Sequence, residues 1–191
     1  EYVYFMLNKP PGVISATEDR RERTVVDLLQ PEDRARDPFP VGRLDKDTEG
    51  LLLLTNDGRL AHELLSPRKS VDKVYEALVA GAVDDRDVRA FEAGVTLDDG
   101  YRTLPAELVV RQVRAANDGP LSDVTVTIRE GKFHQVKRMF EAVGKRVVRL
   151  RRVAMGPLRL DPNLAPGEYR ELTEDEMKAL AAATAGAWSA G

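Results

Sequence analysis

Residues 42–58 read Gly-Arg-Leu-Asp-Lys-Asp-Thr-Glu-Gly-Leu-Leu-Leu-Leu-Thr-Asn-Asp-Gly. The four consecutive leucines at 51–54 and the following Thr55 predict a strand that is buried on both faces, because a half-solvated strand would alternate apolar and polar residues. Asn56-Asp57-Gly58 is typical of a turn that ends such a strand. The charged residues come just before the strand, where a rigid scaffold can hold a loop carboxylate such as Asp45.

The patterns on either side predict strands mixed with helices. Period-two alternation or apolar runs predict strands at 2–7, 74–79, 107–113, 124–128 and 147–153. Helical spacing or capping residues predict helices at 24–29, 60–65, 84–93, 133–143 and after Thr173, and the proline-bearing stretch 31–40 is predicted to be a loop. Few strand-helix-strand units occur, so we expect an α+β fold with a largely antiparallel sheet. We expect a single domain over 1–191, with a frayed tail at 180–191.

The composition excludes several kinds of chemistry. The 191 residues include no cysteine and two histidines, His62 and His134. Thiol nucleophiles, disulfides and cysteine- or histidine-rich zinc centres are therefore excluded. Asp45, Asp47 and Glu49 have the odd spacing of a metal loop, but the calcium-loop pattern also needs a distal glutamate that this segment lacks, so we expect no metal site. With no run of about 18 apolar residues and no signal peptide, the chain is predicted to be soluble and cytoplasmic.

Charge is distributed unevenly along the chain. The net charge is −3 at pH 7, yet residues 132–152 contain eight lysines and arginines and one acid, Glu141. This basic stripe predicts an anionic partner, such as a nucleic acid, that approaches from one side. The alternative is a solvated helix face without a binding role.

The segment 42–58 closely resembles the catalytic motif of bacterial rRNA pseudouridine synthases of the RsuA and RluB/E/F group. Two further segments agree with that family in chain order. Asn8-Lys9-Pro10-Pro11-Gly12 resembles its Lys-Pro-x-Gly turn, and residues 130–139, which read EGKFHQVKRM, resemble its third motif. The resemblance implies a pseudouridine synthase fold of two lobes with the active-site cleft between them. Members commonly carry an S4-like RNA-binding domain before the Lys-Pro-x-Gly strand, so we expect an excised catalytic core or a short form without that domain.

The resemblance also implies roles for individual residues. Asp45 corresponds to the catalytic carboxylate, Tyr75 to an active-site tyrosine on which the target base stacks, and Lys137 to the cation that keeps the carboxylate ionised. Arg138 is the alternative cation, and Lys137 could instead contact phosphate, while Tyr75 could be an ordinary strand aromatic. Arg43 is expected to enter the space left by the flipped base, its alternative being an ion pair with Asp47. The full set of predicted RNA-binding residues is Arg43, Lys73, Lys132, His134, Gln135, Arg138, Arg149 and Arg151. For His134 and Gln135, a hydrogen-bonding role inside the lobe is the alternative.

The implied reaction is the isomerisation of a uridine in ribosomal RNA, with small-subunit 16S rRNA favoured over large-subunit 23S rRNA, by a monomer that uses no cofactor. Breaking the bond from C1′ to N1 and rejoining at C5 adds no group, so one carboxylate suffices, whether it attacks the sugar or base or takes a proton from C2′. The base must first leave its stack. Two rival functions stay open: an RNA-binding module without catalysis, and a glycoside hydrolase, which needs two carboxyl groups facing each other across a sugar.

Overall fold

The computed structural model of the chain describes residues 1–69 and 71–185, so the part of the predicted tail at 186–191 lies outside the described residues. The elements in chain order are β1 (Tyr4–Lys9), a 3-10 helix (Val25–Leu28), α1 (Pro31–Arg34), β2 (Phe39–Pro40), β3 (Glu49–Thr55), α2 (Gly58–Leu65), a 3-10 helix (Pro67–Lys69), β4 (Lys73–Ala80), α3 (Asp85–Ala93), β5 (Glu107–Arg114), β6 (Leu121–Ile128), α4 (Gln135–Ala142), β7 (Arg146–Met155), β8 (Leu158–Arg159), β9 (Tyr169–Glu171) and α5 (Glu174–Ala185). The predicted α+β class with a mostly antiparallel sheet is confirmed.

The chain forms two compact units, one from residues 1–71 together with the chain after Arg151, and the other from 72–151. In the first unit the strand order is β7-β3-β1-β9, with β2 beside β3 and β8 beside β7. In the second unit it is β5-β6-β4-β7. Strand β7 begins in the second unit and ends in the first.

Strand β3 is the centre of the first unit. All seven of its residues are buried, which confirms the prediction from the four leucines. Leu51 and Leu53 point to one face and pack with Met6, Leu158 and Leu180 in the core of this unit. β1 runs antiparallel to β3, so that Asn8 lies opposite Leu51 and Lys9 opposite Gly50. The pairing places the end of β1 beside the start of β3, where the loop with Asp45 joins.

In the second unit, α3 packs against β5 and contacts α4. Phe91 of α3 and Phe140 of α4 are fully buried, with ring centroids 4.9 Å apart. The inward positions of β6, Val124, Val126 and Ile128, are also buried. Helix α3 ends at Gly94, whose φ is +88° and where a Cβ atom would lie 2.4 Å from the carbonyl oxygen of Thr103, so only glycine fits.

The predicted elements are present, but their bounds differ by up to three residues: α4 begins at Gln135 rather than at 133, and β6 begins at Leu121 rather than at 124. The predicted loop at 31–40 contains the four-residue helix α1 and the two-residue strand β2, which is a correction. The short strands β8 and β9 were not predicted. Strands of two or three residues are too short to show a hydrophobic period. Whether they form depends on the strands with which they pair. The predicted capping box of α5 is confirmed, because Thr173 and Glu176 exchange hydrogen bonds of 2.8 and 3.1 Å.

Candidate active site

Asp45 lies in the loop between β2 and β3 of the first unit. Its side chain is half-buried, whereas Arg43, Lys46 and Asp47 are exposed. The backbone turns tightly here, because the amide of Thr48 donates to the carbonyl oxygen of Asp45 at 3.0 Å. The loop therefore presents one partly desolvated carboxylate among exposed charges.

Buried Lys9 holds the C-terminal side of this loop. Its side chain is completely buried, and its Nζ donates to the carbonyl oxygens of Pro10 at 3.0 Å, Lys46 at 3.1 Å and Thr48 at 2.8 Å. Burial lowers the pKa of Lys9 from 10.5 to about 8. The negative charges of Asp47, Glu49 and Asp45 oppose that shift. Lys9 thus places a positive charge inside the loop and ties down both residues that flank Asp47.

Ser15 holds the N-terminal side of the loop. Its hydroxyl donates to the carbonyl oxygen of Leu44 at 2.8 Å and accepts from the amide of the same residue at 3.0 Å. Ser15 and Leu44 are both buried, so water does not substitute for this pair. Together with the bond from the Gly12 amide to the Lys46 carbonyl oxygen, at 2.8 Å, it fixes the backbone on both sides of Asp45.

The loop-holding roles of Lys9 and Ser15 were not predicted from the sequence. The sequence does contain a signal for Lys9. This lysine ends a strand whose other residues are apolar or amide-bearing, a position where a solvent-exposed lysine is unusual. No comparable signal exists for Ser15. Its role depends on Leu44, 29 positions along the chain.

The second unit contains Tyr75 and Lys137. Tyr75 is on β4 opposite Val126 of β6, and only 9% of its surface is exposed. Lys137 is half-buried in the first turn of α4. Lys73, two positions before Tyr75, points its ammonium group toward Gly131, where a Cβ atom would lie 3.9 Å from the nitrogen.

A hydrogen-bond network organises the loop that leads into α4. Glu130 accepts from the Tyr101 hydroxyl, from the Leu104 amide at 2.7 Å and from the side-chain amide of Gln135 at 2.9 Å. The side-chain oxygen of Gln135 accepts from the Lys132 amide at 3.0 Å. Gln135 is 4% exposed, and this geometry favours the internal hydrogen-bonding role over an RNA contact.

Arg138 closes the same loop from the helix side. Its guanidinium contacts Asp98 at 2.7 Å and Asp99 at 3.0 Å, and it donates to the carbonyl oxygen of Phe133 at 2.7 Å. These two carboxylates raise the pKa of Arg138 above its usual range. With these donors engaged inside the second unit, the Arg138 guanidinium is less available to other anions.

A family model described as RNA pseudouridylate synthase matches residues 3–142. The chain belongs to the RNA pseudouridylate synthase family. The match includes the loop around Asp45, the strand with Tyr75 and the helix with Lys137, so all three predicted catalytic positions lie within the family's own region. Members of this family are isomerases that convert uridine to pseudouridine.

Individual relatives agree with this assignment. Over 180 residues, 94% of this chain and 74% of the other, it is 55% identical to the uncharacterized RNA pseudouridine synthase YtzG of Bacillus subtilis. It is 45% identical over 179 residues, 93% of this chain and 73% of the other, to ribosomal small subunit pseudouridine synthase A of Salmonella typhimurium. A crystal structure of a pseudouridylate synthase superposes with a TM-score of 0.83 at 38% identity, covering 94% of this chain and 74% of that one.

Several cations of the basic stripe at residues 132–152 have acidic partners in the structure. Lys145 contacts Asp87 at 2.9 Å, and Arg151 contacts Glu76 at 2.6 Å. Arg152 is 3% exposed and donates from Nε to the carbonyl oxygen of Leu51 at 3.0 Å, so it is part of the core of the first unit. The stripe is therefore less available to an anion than its sequence indicates.

The predicted RNA-binding arginines of β7 lie on a different face from Tyr75. Glu76 follows Tyr75 on β4, and successive side chains of a strand point to opposite faces. Since Arg151 pairs with Glu76, it lies on the face away from Tyr75, and Arg149, two positions earlier, shares that face. These two arginines therefore point away from the face of the sheet on which Tyr75 lies.

Within 1–69 and 71–185, no cluster of three or more histidine, aspartate or glutamate side chains is arranged to hold a metal ion. No helix in the described part of the chain is long and apolar enough to cross a membrane.

Proposed function

We propose that this protein isomerises a uridine of small-subunit ribosomal RNA to pseudouridine, with Asp45 as the catalytic carboxylate. The observation that carries the proposal is the rigid backbone around Asp45, held on one side by Ser15 and on the other by Lys9. A reacting group must be held in one geometry, and loops braced by a rigid scaffold provide this. Small-subunit rRNA is the proposed substrate because relatives named for that activity are 45% and 43% identical to this chain.

The reaction needs no outside reactant. The bond from C1′ to N1 breaks, a bond from C1′ to C5 forms, C5 loses a proton and N1 gains one. Asp45 serves this sequence either by attacking the sugar or base, or by taking a proton from C2′, and both routes need an ionised carboxylate. We assign Lys137 as the cation that keeps Asp45 ionised, Tyr75 as the surface on which the target base stacks, and Arg43 as the side chain that enters the space left by that base.

Replacing Asp45 by asparagine tests the assignment. Asp45→Asn keeps the shape of the side chain but removes its charge and nucleophilicity, so we expect tritium release from C5-labelled uridine in small-subunit rRNA to fall below detection. RNA affinity should stay within about threefold and the free energy of unfolding within about 1 kcal/mol, since the carboxylate is not needed for folding. Glu18→Gln is the control, because Glu18 is an exposed carboxylate of the same unit outside this loop and should be dispensable. Wild-type turnover by Asp45→Asn would contradict the proposal and leave the RNA-binding module as the function.

The role of Lys137 is tested by Lys137→Met. Without a neighbouring positive charge a carboxylate ionises at higher pH, so the lost rate should be partly recovered by raising the pH. If Lys137 instead contacted phosphate, lowering the salt concentration would recover the rate and raising the pH would not. Mapping pseudouridines in rRNA from cells that lack the protein would identify the uridine. We further propose that the enzyme acts as a monomer in the cytoplasm, which sedimentation of the purified chain and cell fractionation would check.

A further inference from the structure

The side chain of Phe133 is displayed at the surface of the second unit, in the loop just before α4. It is 73% exposed, more than any other large hydrophobic side chain in the described part of the chain. Isolated exposed hydrophobic residues are common on proteins and do not by themselves indicate a binding site. Phe133 differs because its neighbours fix its position and because lysines lie close to it in the sequence.

The loop holds the Phe133 ring in one orientation. The carbonyl oxygen of Phe133 accepts from Arg138 at 2.7 Å, and Arg138 is itself fixed by Asp98 and Asp99. His134 adopts a left-handed backbone conformation with φ of +48°, and its ring stacks on that of Phe133. The two ring centroids are 3.7 Å apart with an angle of 18° between the planes. The imidazole therefore covers one face of Phe133 and leaves a flat, pre-positioned aromatic surface toward solvent.

Cations flank Phe133 in the sequence. Lys132 precedes Phe133, is exposed, and has its ammonium nitrogen 4.8 Å from the centre of the Tyr101 ring. Lys137 follows one helical turn later. A flat aromatic ring beside positive charges is the combination that binds single-stranded nucleic acid, because the base stacks on the ring while the charges neutralise phosphates. Protein interfaces are depleted in lysine, so RNA is the partner that this surface fits.

We propose that Phe133, backed by His134, is a stacking platform for an unpaired base of the RNA other than the reacting uridine. Lys132 binds the phosphate next to that base. The inference rests on the proposed function, since it assigns a second base-binding position to the same substrate. The platform selects RNA in which the target uridine has an unpaired neighbour, so it contributes to the choice of site as well as to affinity.

The test compares binding of two probes, a short oligouridylate and the abasic oligomer with the same backbone. Phe133→Ala should lower affinity for the oligouridylate about tenfold and leave affinity for the abasic oligomer unchanged, because only the first has bases to stack. Phe133→Tyr should bind like the wild type, and Phe133→Leu should bind like the alanine variant, since leucine is apolar but not flat. Tyr2→Ala, which removes a 62% exposed aromatic from the first unit, is the matched control and should change neither affinity.

Three outcomes would overturn the inference. Unchanged affinity of Phe133→Ala for the oligouridylate would mean that no base stacks there. Equal losses for both probes would indicate a change in the loop or its charges, and retained affinity in Phe133→Leu would indicate a general apolar contact. Pseudouridine formation by the wild type is measured separately. A wild-type protein that makes no pseudouridine, yet shows the predicted probe difference, contradicts the proposed function and leaves the platform standing.

Discussion

At the residue scale, the most informative side chain is Lys9. A buried ammonium group that donates to three backbone carbonyls replaces its lost hydration by fixed dipoles, and the nearby carboxylates partly offset the cost of burying it. The three acceptors belong to Pro10, Lys46 and Thr48. The protonation of Lys9 is therefore coupled to the order of the loop that presents Asp45.

We predict opposite effects of pH on stability and on turnover through Lys9. Between pH of about 8 and 10.5 the unfolded lysine still binds a proton that the native one has lost, so the free energy of unfolding of the wild type should rise relative to Lys9→Met. Over the same range the neutral amine has too few N–H groups for three carbonyls, so kcat of the wild type should fall as pH rises above about 8.

Denaturant titrations and rate measurements across this pH range, made on the wild type and Lys9→Met in parallel, check both parts. The residual rate of Lys9→Met should lack the fall above pH 8 that the wild type shows. A stability difference that stays flat across the window, or identical pH-rate profiles for the two proteins, would contradict the assignment.

At the element scale, Ser15 joins the segment after β1 to the loop before β3, through its hydrogen bonds with Leu44. Ser15→Ala removes the only hydroxyl of this pair and leaves the buried amide and carbonyl of Leu44 without their partner. We expect the free energy of unfolding to drop by about 2 kcal/mol, because each buried polar group left unpaired costs about 1–3 kcal/mol and the loop relaxes in part. Turnover should fall as well, since the backbone before Asp45 loses its anchor.

Urea unfolding and single-turnover rates measure the two effects. Ser66→Ala is the matched control in the same unit, because the Ser66 hydroxyl accepts one weak bond of 3.4 Å from the Arg68 amide near the surface. If Ser15→Ala were as stable and as active as Ser66→Ala, the bracing role of Ser15 would be wrong.

At the scale of the whole molecule, the fold decides which charges face the RNA. We predict that Lys132→Gln reduces the slope of log affinity against log salt by about 0.7 for single-stranded RNA, as expected for one lost phosphate contact. Lys145→Gln should hardly change the slope. Its partner Asp87 is 7% exposed, so the mutation should instead lower the free energy of unfolding by about 3 kcal/mol through an unpaired buried charge.

Salt titrations of RNA binding and denaturant unfolding of both variants separate these roles. If Lys145→Gln reduced the slope of log affinity against log salt as much as Lys132→Gln does, Lys145 would contact RNA despite its ion pair with Asp87.

Much of the fold could be predicted because it depends on neighbours in the chain. The leucines at 51–54 specify a strand buried on both faces by their own side chains, and Thr173 and Glu176 specify the start of a helix within four residues. The motif around Asp45 likewise indicates the family from contiguous residues. By contrast, β8 and β9 are too short to show a hydrophobic period. They form because β8 pairs with β7 and β9 pairs with β1.

The sequence by itself determined the fold class, the family and the position of the candidate carboxylate, because each is encoded in local runs of residue types. Only the tertiary structure decided how that carboxylate is held and which cations can reach an anion. Ser15 meets Leu44, Lys145 meets Asp87 and Arg151 meets Glu76 across 29, 58 and 75 positions. Hydrogen bonds and ion pairs act over a few ångströms, so they depend on which distant segments folding brings together, and no local pattern encodes that.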